Sequence, residues 1–154
     1  RVDELMQAAI AAGLTPARRS DPSTHSRDCD VLFGDTIGDY ALYISLASIV
    51  VMGKSFNPEH KGGQSPIEAG QLGRALICGP YMTNFPGIMD DFKGANAIIE
   101  VPDSFTLNQT LADLINDPAS VAGYGQRARD LCDAKLKAGP VYLAELAAYM
   151  GRIA

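Results

Sequence analysis

Short, mainly apolar runs alternate with segments of helical periodicity through the first two thirds of this chain. An apolar run of four or five residues, closed by a turn residue, is typical of a strand buried on both faces. Such runs occur at residues 30–34, 49–53, 75–78 and 97–101. Strands of this kind with helices between them predict an α/β fold, namely a Rossmann-like parallel sheet flanked by helices and joined by right-handed crossovers.

The spacing of apolar residues also predicts the helices. The first helix begins at Val2 and stops at Gly13, because glycine is favoured just past a helix end. A short strand is predicted at residues 14–18, followed by a surface loop at residues 20–28. Further helices are predicted from Ile37 to Ala47, from Pro66 to Leu72, around residues 87–92, from Leu107 to Ile115, and after Pro118 and Pro140.

Length and composition limit the classes of protein that this chain can belong to. Its length of 154 residues is typical of one domain. Its composition, with 47% hydrophobic and 20% charged residues, excludes large-scale disorder. A formal net charge of −5 argues against a nucleic-acid partner, because such binding relies on a basic surface. The most apolar segment, residues 41–52, is shorter than the roughly 18–20 residues that a membrane-spanning helix needs. We therefore interpret residues 1–154 as a single soluble domain.

No residue pattern indicates a metal site or a cofactor. Cys29, Cys78 and Cys132 are widely spaced, and their odd number favours reduced thiols in a cytosolic setting. His25 and His60 have no partner ligands at metal-binding spacing, so we interpret both as solvated side chains. The sequence contains no Walker, GxSxG or complete GxGxxG pattern. We expect neither a metal nor a cofactor.

The glycine-containing turn at residues 34–39 follows the first apolar run and precedes a helical segment. Ligands of open α/β sheets bind at this position, outside the carboxyl ends of the strands. Its glycines allow close approach of the backbone, so a phosphate could be bound there. The alternative is a plain turn in which Asp35 or Thr36 caps the helix, and the residues alone favour that alternative.

A second candidate segment is SPIE, formed by Ser65, Pro66, Ile67 and Glu68. It fits a capping box, with Ser65 as N-cap, Pro66 at the first helical position and Glu68 reaching back to the Ser65 N–H. The alternative is that Glu68 accepts hydrogen bonds from ribose hydroxyls, as acidic residues do in other nucleotide-binding α/β folds. The residues alone slightly favour the capping box.

Taken together and in this order, these segments resemble the C-terminal domain of the bacterial 3-deoxy-D-manno-octulosonic acid (Kdo) transferases. The sequence VLFGDTIGD at residues 31–39 is similar to the family's VLLGDTMGEL, and GGQSPIEA at residues 62–69 is similar to its GGHNPLEP. VMGKS at residues 51–55 matches FVGGS, and GRALICGP at residues 73–80 matches GKPVLTGP. RRS at residues 18–20 is also shared. Gln64 and Ser65 depart from the family's usual His-Asn pair.

The resemblance implies the C-terminal half of a GT-B glycosyltransferase, which binds the activated donor CMP-Kdo. It places Ile37, Gly38 and Asp39 at a main-chain contact to the CMP phosphate. It also places Ser65, Pro66, Ile67 and Glu68 at a second CMP-binding segment, in which Glu68 holds the ribose. This raises ribose binding by Glu68 above the capping-box interpretation.

The resemblance also implies the reaction and its setting. The full enzyme would transfer Kdo to a lipid A precursor at the cytoplasmic face of the inner membrane, during lipopolysaccharide biosynthesis. The family's catalytic carboxylate, acceptor site and membrane anchor belong to its N-terminal domain, so we expect no catalytic residue in this chain. Because the chain opens with Arg1 rather than Met, we expect a domain truncated at its N-terminus. Two alternatives remain open, a GT-B domain that uses a UDP- or GDP-sugar and a noncatalytic α/β interaction domain.

Overall fold

The structure is a computed structural model that describes residues 2–59 and 62–137. Backbone contacts divide the chain into two compact units, Arg1–Tyr43 (unit 1) and Ile44–Ala154 (unit 2). The interpretation of residues 1–154 as a single domain stays a prediction. His60 and the helix predicted after Pro140 lie outside the described residues.

Unit 1 contains a helix and a two-stranded parallel sheet. Its elements are α1 (Val2–Ala11), β1 (Pro16–Arg18), a short 3-10 helix (Pro22–Thr24) and β2 (Val31–Phe33). Gly13 follows α1 with a φ of +79°, a conformation that favours glycine. The register of the sheet places Arg18 opposite Phe33. Parallel strands end at the same edge of a sheet, so the segments that follow Arg18 and Phe33 start side by side.

The predicted burial of the first apolar run on both faces is wrong. Val31 and Phe33 are half-buried, but Leu32 between them is 50% exposed. Alternate side chains of a strand point to opposite faces, so β2 covers one face and leaves the other exposed. Among the described residues, β2 pairs only with β1.

Unit 2 contains a three-stranded parallel sheet formed by β3 (Ile49–Val51), β4 (Ala75–Cys78) and β5 (Ile99–Glu100). The strand order is β3-β4-β5, with Ile49 opposite Ala75 and Ile77 opposite Ile99. The helices are α3 (Ile67–Gln71), α4 (Pro86–Gly94), α5 (Ser104–Asn116) and α6 (Pro118–Lys137). Strands and helices therefore alternate from β3 to α5, as predicted.

The core of unit 2 lies on both faces of its sheet. All four residues of β4 are buried. Leu76 and Cys78 belong to one apolar cluster, which includes Phe92 of α4, whereas Ile77 belongs to a second cluster, which includes Leu114 of α5. Opposite faces of β4 are thus covered by different helices. These contacts confirm the predicted parallel sheet flanked by helices.

Helix α2 spans Tyr40–Leu46 and begins three residues after the predicted start at Ile37. Gly38 has a φ of +98°, which is incompatible with a right-handed helix and keeps Ile37 outside it. The side chain of Ile37 is fully exposed. Apolar periodicity therefore overestimated the length of this helix.

Candidate functional site

The predicted site residues lie in loops at the carboxyl ends of strands. Ile37, Gly38 and Asp39 lie in the 34–39 loop, which connects β2 to α2 in unit 1. Ser65, Pro66, Ile67 and Glu68 lie at the end of the 52–66 loop and in the first turn of α3, in unit 2. Each unit therefore places one predicted segment where parallel sheets bind ligands.

The main chain of the 34–39 loop is open to solvent at its tip. Ile37 and Gly38 are exposed, and a Cβ built on Gly38 would have no atom within 4 Å. At the start of the loop, a Cβ on Gly34 would lie 2.6 Å from the Tyr43 ring, so a larger residue here would displace that side chain. Because α2 begins at Tyr40, neither Asp35 nor Thr36 caps it, and the capping alternative for this turn is wrong.

Both carboxylates of the 34–39 loop have basic and hydroxyl partners. Asp35 accepts hydrogen bonds from the Ser20 N–H (3.0 Å) and hydroxyl (2.6 Å), and its Oδ2 lies 2.9 Å from Arg18 Nε. Asp39 Oδ2 accepts from Thr36 Oγ1 (2.6 Å) and from Arg19 Nε (3.2 Å). The segment 18–20 at the end of β1 therefore holds the loop that follows β2.

These hydrogen bonds stabilise the ionised form of both loop carboxylates and lower the pKa of each. The Ser20 hydroxyl is the main cause that lowers the pKa of Asp35 from 3.8, and the nearby Arg18 guanidinium adds to it. The Thr36 hydroxyl is the main cause that lowers the pKa of Asp39, followed by Arg19. Both groups are negatively charged at neutral pH, so the loop carries two anionic side chains beside its exposed main chain.

Acidification is expected to destabilise the chain through Asp35 and Asp39. A carboxylate whose pKa is lowered by folding contributes stability that is present above its unfolded-state value of 3.8 and is lost as the pH falls through the folded value. The check is the thermal unfolding midpoint, followed by circular dichroism from neutral pH to about pH 2. Asp35→Asn should show a smaller decrease than the unmodified chain, and an identical decrease would contradict this role of Asp35.

In unit 2, hydrogen bonds join the 52–66 loop to the 79–85 loop that follows β4. The buried Ser55 hydroxyl donates to the Met52 carbonyl (2.6 Å) and accepts from the Gly79 N–H (2.9 Å). The Tyr81 N–H donates to the Ser55 carbonyl (3.0 Å), and the Gly62 N–H donates to the Tyr81 carbonyl (3.1 Å). The segment that leads to Ser65–Glu68 is therefore anchored on the end of the central strand.

The second anchor of this loop is the glycine pair that precedes Gln64. Gly62 and Gly63 have φ values of +139° and +71°. A Cβ on Gly62 would lie 2.6 Å from the Asn84 side chain, and a Cβ on Gly63 would lie 2.2 Å from Met82 Sδ. The backbone conformation favours glycine at both positions, and a side chain at either would displace Asn84 or Met82.

The capping box predicted for residues 65–68 is not formed. Helix α3 begins at Ile67 with Pro66 as its N-cap, and Pro66 makes no side-chain capping bond. The Ser65 hydroxyl accepts from the Ile67 N–H at 3.3 Å, and Pro66 is fully buried. Within the described part of the chain, Glu68 is exposed and makes no hydrogen bond to the Ser65 N–H. Its carboxylate is therefore not occupied in capping the helix.

The described residues contain no cluster of three or more His, Cys, Asp or Glu side chains that could hold a metal ion. Among the same residues, no helix is long and apolar enough to cross a membrane. Burial raises the pKa of the Cys78 thiol to about 12, so this residue is not a nucleophile at neutral pH. In the two candidate segments, Ile37, Gly38 and Glu68 are exposed to solvent.

Known proteins that resemble this chain are Kdo transferases. The chain is 36% identical over 133 residues to the 3-deoxy-D-manno-octulosonic acid transferase of Bordetella pertussis, a match that covers 84% of the chain and 30% of that protein. It is 31% identical over 116 residues to the enzyme of the same name from Rickettsia typhi, covering 75% of the chain and 24% of that protein. The chain thus spans less than a third of the length of these relatives. No family model matches it.

The fold is also found in a solved structure. The crystal structure of the C-terminal CMP-Kdo binding domain of WaaA from Acinetobacter baumannii matches with a TM-score of 0.75 and 24% identity, covering 84% of this chain and 66% of that one. This match confirms the predicted fold class, a Rossmann-like α/β fold with parallel strands flanked by helices. The chain is therefore similar in sequence to part of the Kdo transferases and has the fold of the C-terminal CMP-Kdo binding domain of WaaA.

Proposed function

We propose that this chain is the donor-binding part of a Kdo transferase that uses CMP-Kdo. The observation that carries the proposal is the 36% identity to a Kdo transferase over 84% of the chain, together with a fold shared with a CMP-Kdo binding domain. In the proposed reaction, the whole enzyme transfers Kdo to a lipid A precursor at the cytoplasmic face of the inner membrane. The family's N-terminal domain supplies the catalytic carboxylate and the acceptor site.

In unit 1, we propose that main-chain groups of Ile37, Gly38 and Asp39 contact the CMP phosphate. The exposed, glycine-containing tip of the 34–39 loop supports this role, because nothing in the described structure covers Gly38. Hydrogen bonds to the phosphate would stabilise the negative charge that grows on departing CMP.

In unit 2, we propose that residues 65–68 form a second CMP-binding segment, in which Glu68 holds the ribose hydroxyls. Its exposure and the absence of the capping-box bond support this role, since one carboxylate cannot easily serve both. Buried Pro66 fixes the backbone between Ser65 and Ile67. A carboxylate can accept a hydrogen bond from each of two neighbouring hydroxyls.

The proposal is tested by titrating the chain with CMP, UDP, GDP and NAD in a thermal unfolding assay. A ligand at 100 times its dissociation constant stabilises the folded state by about 2.7 kcal/mol. We expect that stabilisation with CMP and none with the other three. Stabilisation by UDP or GDP instead would support the alternative donor class, and a folded chain that binds none would favour a noncatalytic domain.

Glu68→Ala is expected to weaken CMP binding by about 10- to 100-fold, the usual effect of losing hydrogen bonds to a charged group. The free energy of unfolding should change little, because Glu68 is exposed and does not cap α3. Isothermal titration calorimetry measures the binding, and urea unfolding measures the stability. The matched control is Asp113→Ala, which removes an exposed carboxylate from α5. Equal CMP affinity in both variants would exclude Glu68 from the site.

A further inference from the structure

The 34–39 loop combines two features that conflict electrostatically. Its exposed main chain is the segment proposed to bind a phosphate, but Asp39, the last residue of that segment, carries a carboxylate that is ionised at neutral pH. Two negative charges a few ångströms apart repel each other, and the repulsion weakens binding unless one of them is neutralised. The loop therefore needs a positive charge next to Asp39.

Arg19 supplies that charge. Its Nε donates to Asp39 Oδ2 at 3.2 Å, and the same oxygen accepts from the Thr36 hydroxyl at 2.6 Å. The side chain of Asp39 is 28% exposed and that of Arg19 is 42% exposed, so the pair lies at the surface of unit 1 near the open end of the loop. The carboxylate is held in one orientation and its charge is compensated locally.

The second carboxylate of the loop does not compete for Arg19. Asp35 is held by Arg18 Nε (2.9 Å) and by two hydrogen bonds from Ser20. Arg18 also pairs with Asp3 of α1 at 3.0 Å, so its charge is shared between two carboxylates. Arg18 therefore links α1 and β1 to the start of the loop, whereas Arg19 acts on the proposed phosphate segment alone.

We infer that Arg19 is a positioning residue for the donor phosphate. It neutralises and orients Asp39, so that the neighbouring main chain can bind the phosphate anion. This inference rests on the proposed function and assigns a role to the second arginine of the RRS sequence. Arg19 acts through Asp39 and needs no direct contact with the nucleotide.

The test compares CMP affinities in a double-mutant cycle of Arg19→Ala and Asp39→Asn. Arg19→Ala alone should weaken CMP binding by about tenfold or more, because it leaves an uncompensated carboxylate beside the phosphate. Adding Asp39→Asn should restore most of the lost affinity, since the amide has no charge and its oxygen still accepts from Thr36. Arg19→Ala should leave the affinity for cytidine unchanged, because cytidine has no phosphate.

Arg27→Ala is the matched control, because it removes one exposed arginine from unit 1 without changing the 34–39 loop. Circular dichroism establishes that each variant is folded. Unchanged CMP affinity in Arg19→Ala overturns the inference alone, and so does a double variant as weak as Arg19→Ala, since Arg19 would then contact the phosphate directly. An unmodified chain that does not bind CMP overturns the proposed function and this inference with it.

Discussion

Replacing Gly79 by alanine is expected to lower the free energy of unfolding by about 3 kcal/mol or more. A Cβ on Gly79 would lie 2.2 Å from the Ser55 carbonyl oxygen and 2.7 Å from its carbonyl carbon. These are buried backbone atoms next to the central strand, so they cannot rotate away as the end of a flexible side chain would. The urea concentration at the midpoint of unfolding measures the loss.

Gly87→Ala is the matched control for this variant. Gly87 lies in α4, and a Cβ there would meet no atom within 4 Å. Alanine restricts the unfolded chain and favours the helix, so this variant should be more stable by about 0.4–1 kcal/mol. If Gly79→Ala unfolded at the same urea concentration as Gly87→Ala, the close approach between the 52–66 and 79–85 loops would be contradicted.

The fold class could be predicted because β4 is a strand buried on both faces, which is what a short apolar run predicts. It has a strand on either side, and helices cover both of its faces, so all four of its residues are buried. Leu32 and Val51 belong to runs that are just as apolar, yet they are 50% and 40% exposed. An apolar run shows only that its own side chains favour burial. Whether they are buried depends on neighbouring strands and helices that are distant in sequence.

The positions of the two candidate segments in the fold were predictable, but their contacts were not. Turns that end apolar runs mark the carboxyl ends of strands, and the 34–39 loop and Glu68 lie, respectively, between a strand and the next helix and in the first turn of a helix, as predicted. The contacts of Asp35 and Asp39 with residues 18–20 were not predicted, because the parallel pairing of β1 with β2 brings these distant residues close. The available signal was two adjacent arginines at the end of a strand that neighbours a loop with two aspartates.

Ser65 shows why the local motif was misleading. The capping box assumes that the helix starts directly after serine, but Pro66 is the N-cap and α3 starts at Ile67. A one-residue shift removes the geometry by which Glu68 would reach the Ser65 N–H. The path of the loop, set by Gly62 and Gly63 against the 79–85 loop, decides where the helix begins.

Ser55→Ala is expected to lower the free energy of unfolding by about 2–3 kcal/mol. Ser55 is the buried polar side chain in the described part of the chain, and its hydroxyl serves two main-chain groups at once. Alanine would leave the Met52 carbonyl without this donor and the Gly79 N–H without this acceptor, inside an apolar environment. Urea unfolding measures the total effect, and hydrogen exchange at the Gly79 amide reports on the broken bond itself.

Exposed Ser48 provides the control, since Ser48→Ala should change stability by less than about 0.5 kcal/mol. A Gly79 amide that stays equally protected in Ser55→Ala would contradict the hydrogen bond.

The same variant also connects stability with binding inside unit 2, because the loop anchored by Ser55 continues through Gly62 into residues 65–68. Loss of this anchor increases the number of conformations that the segment must give up on binding, so Ser55→Ala should weaken CMP binding even though the Ser55 hydroxyl is buried away from any ligand.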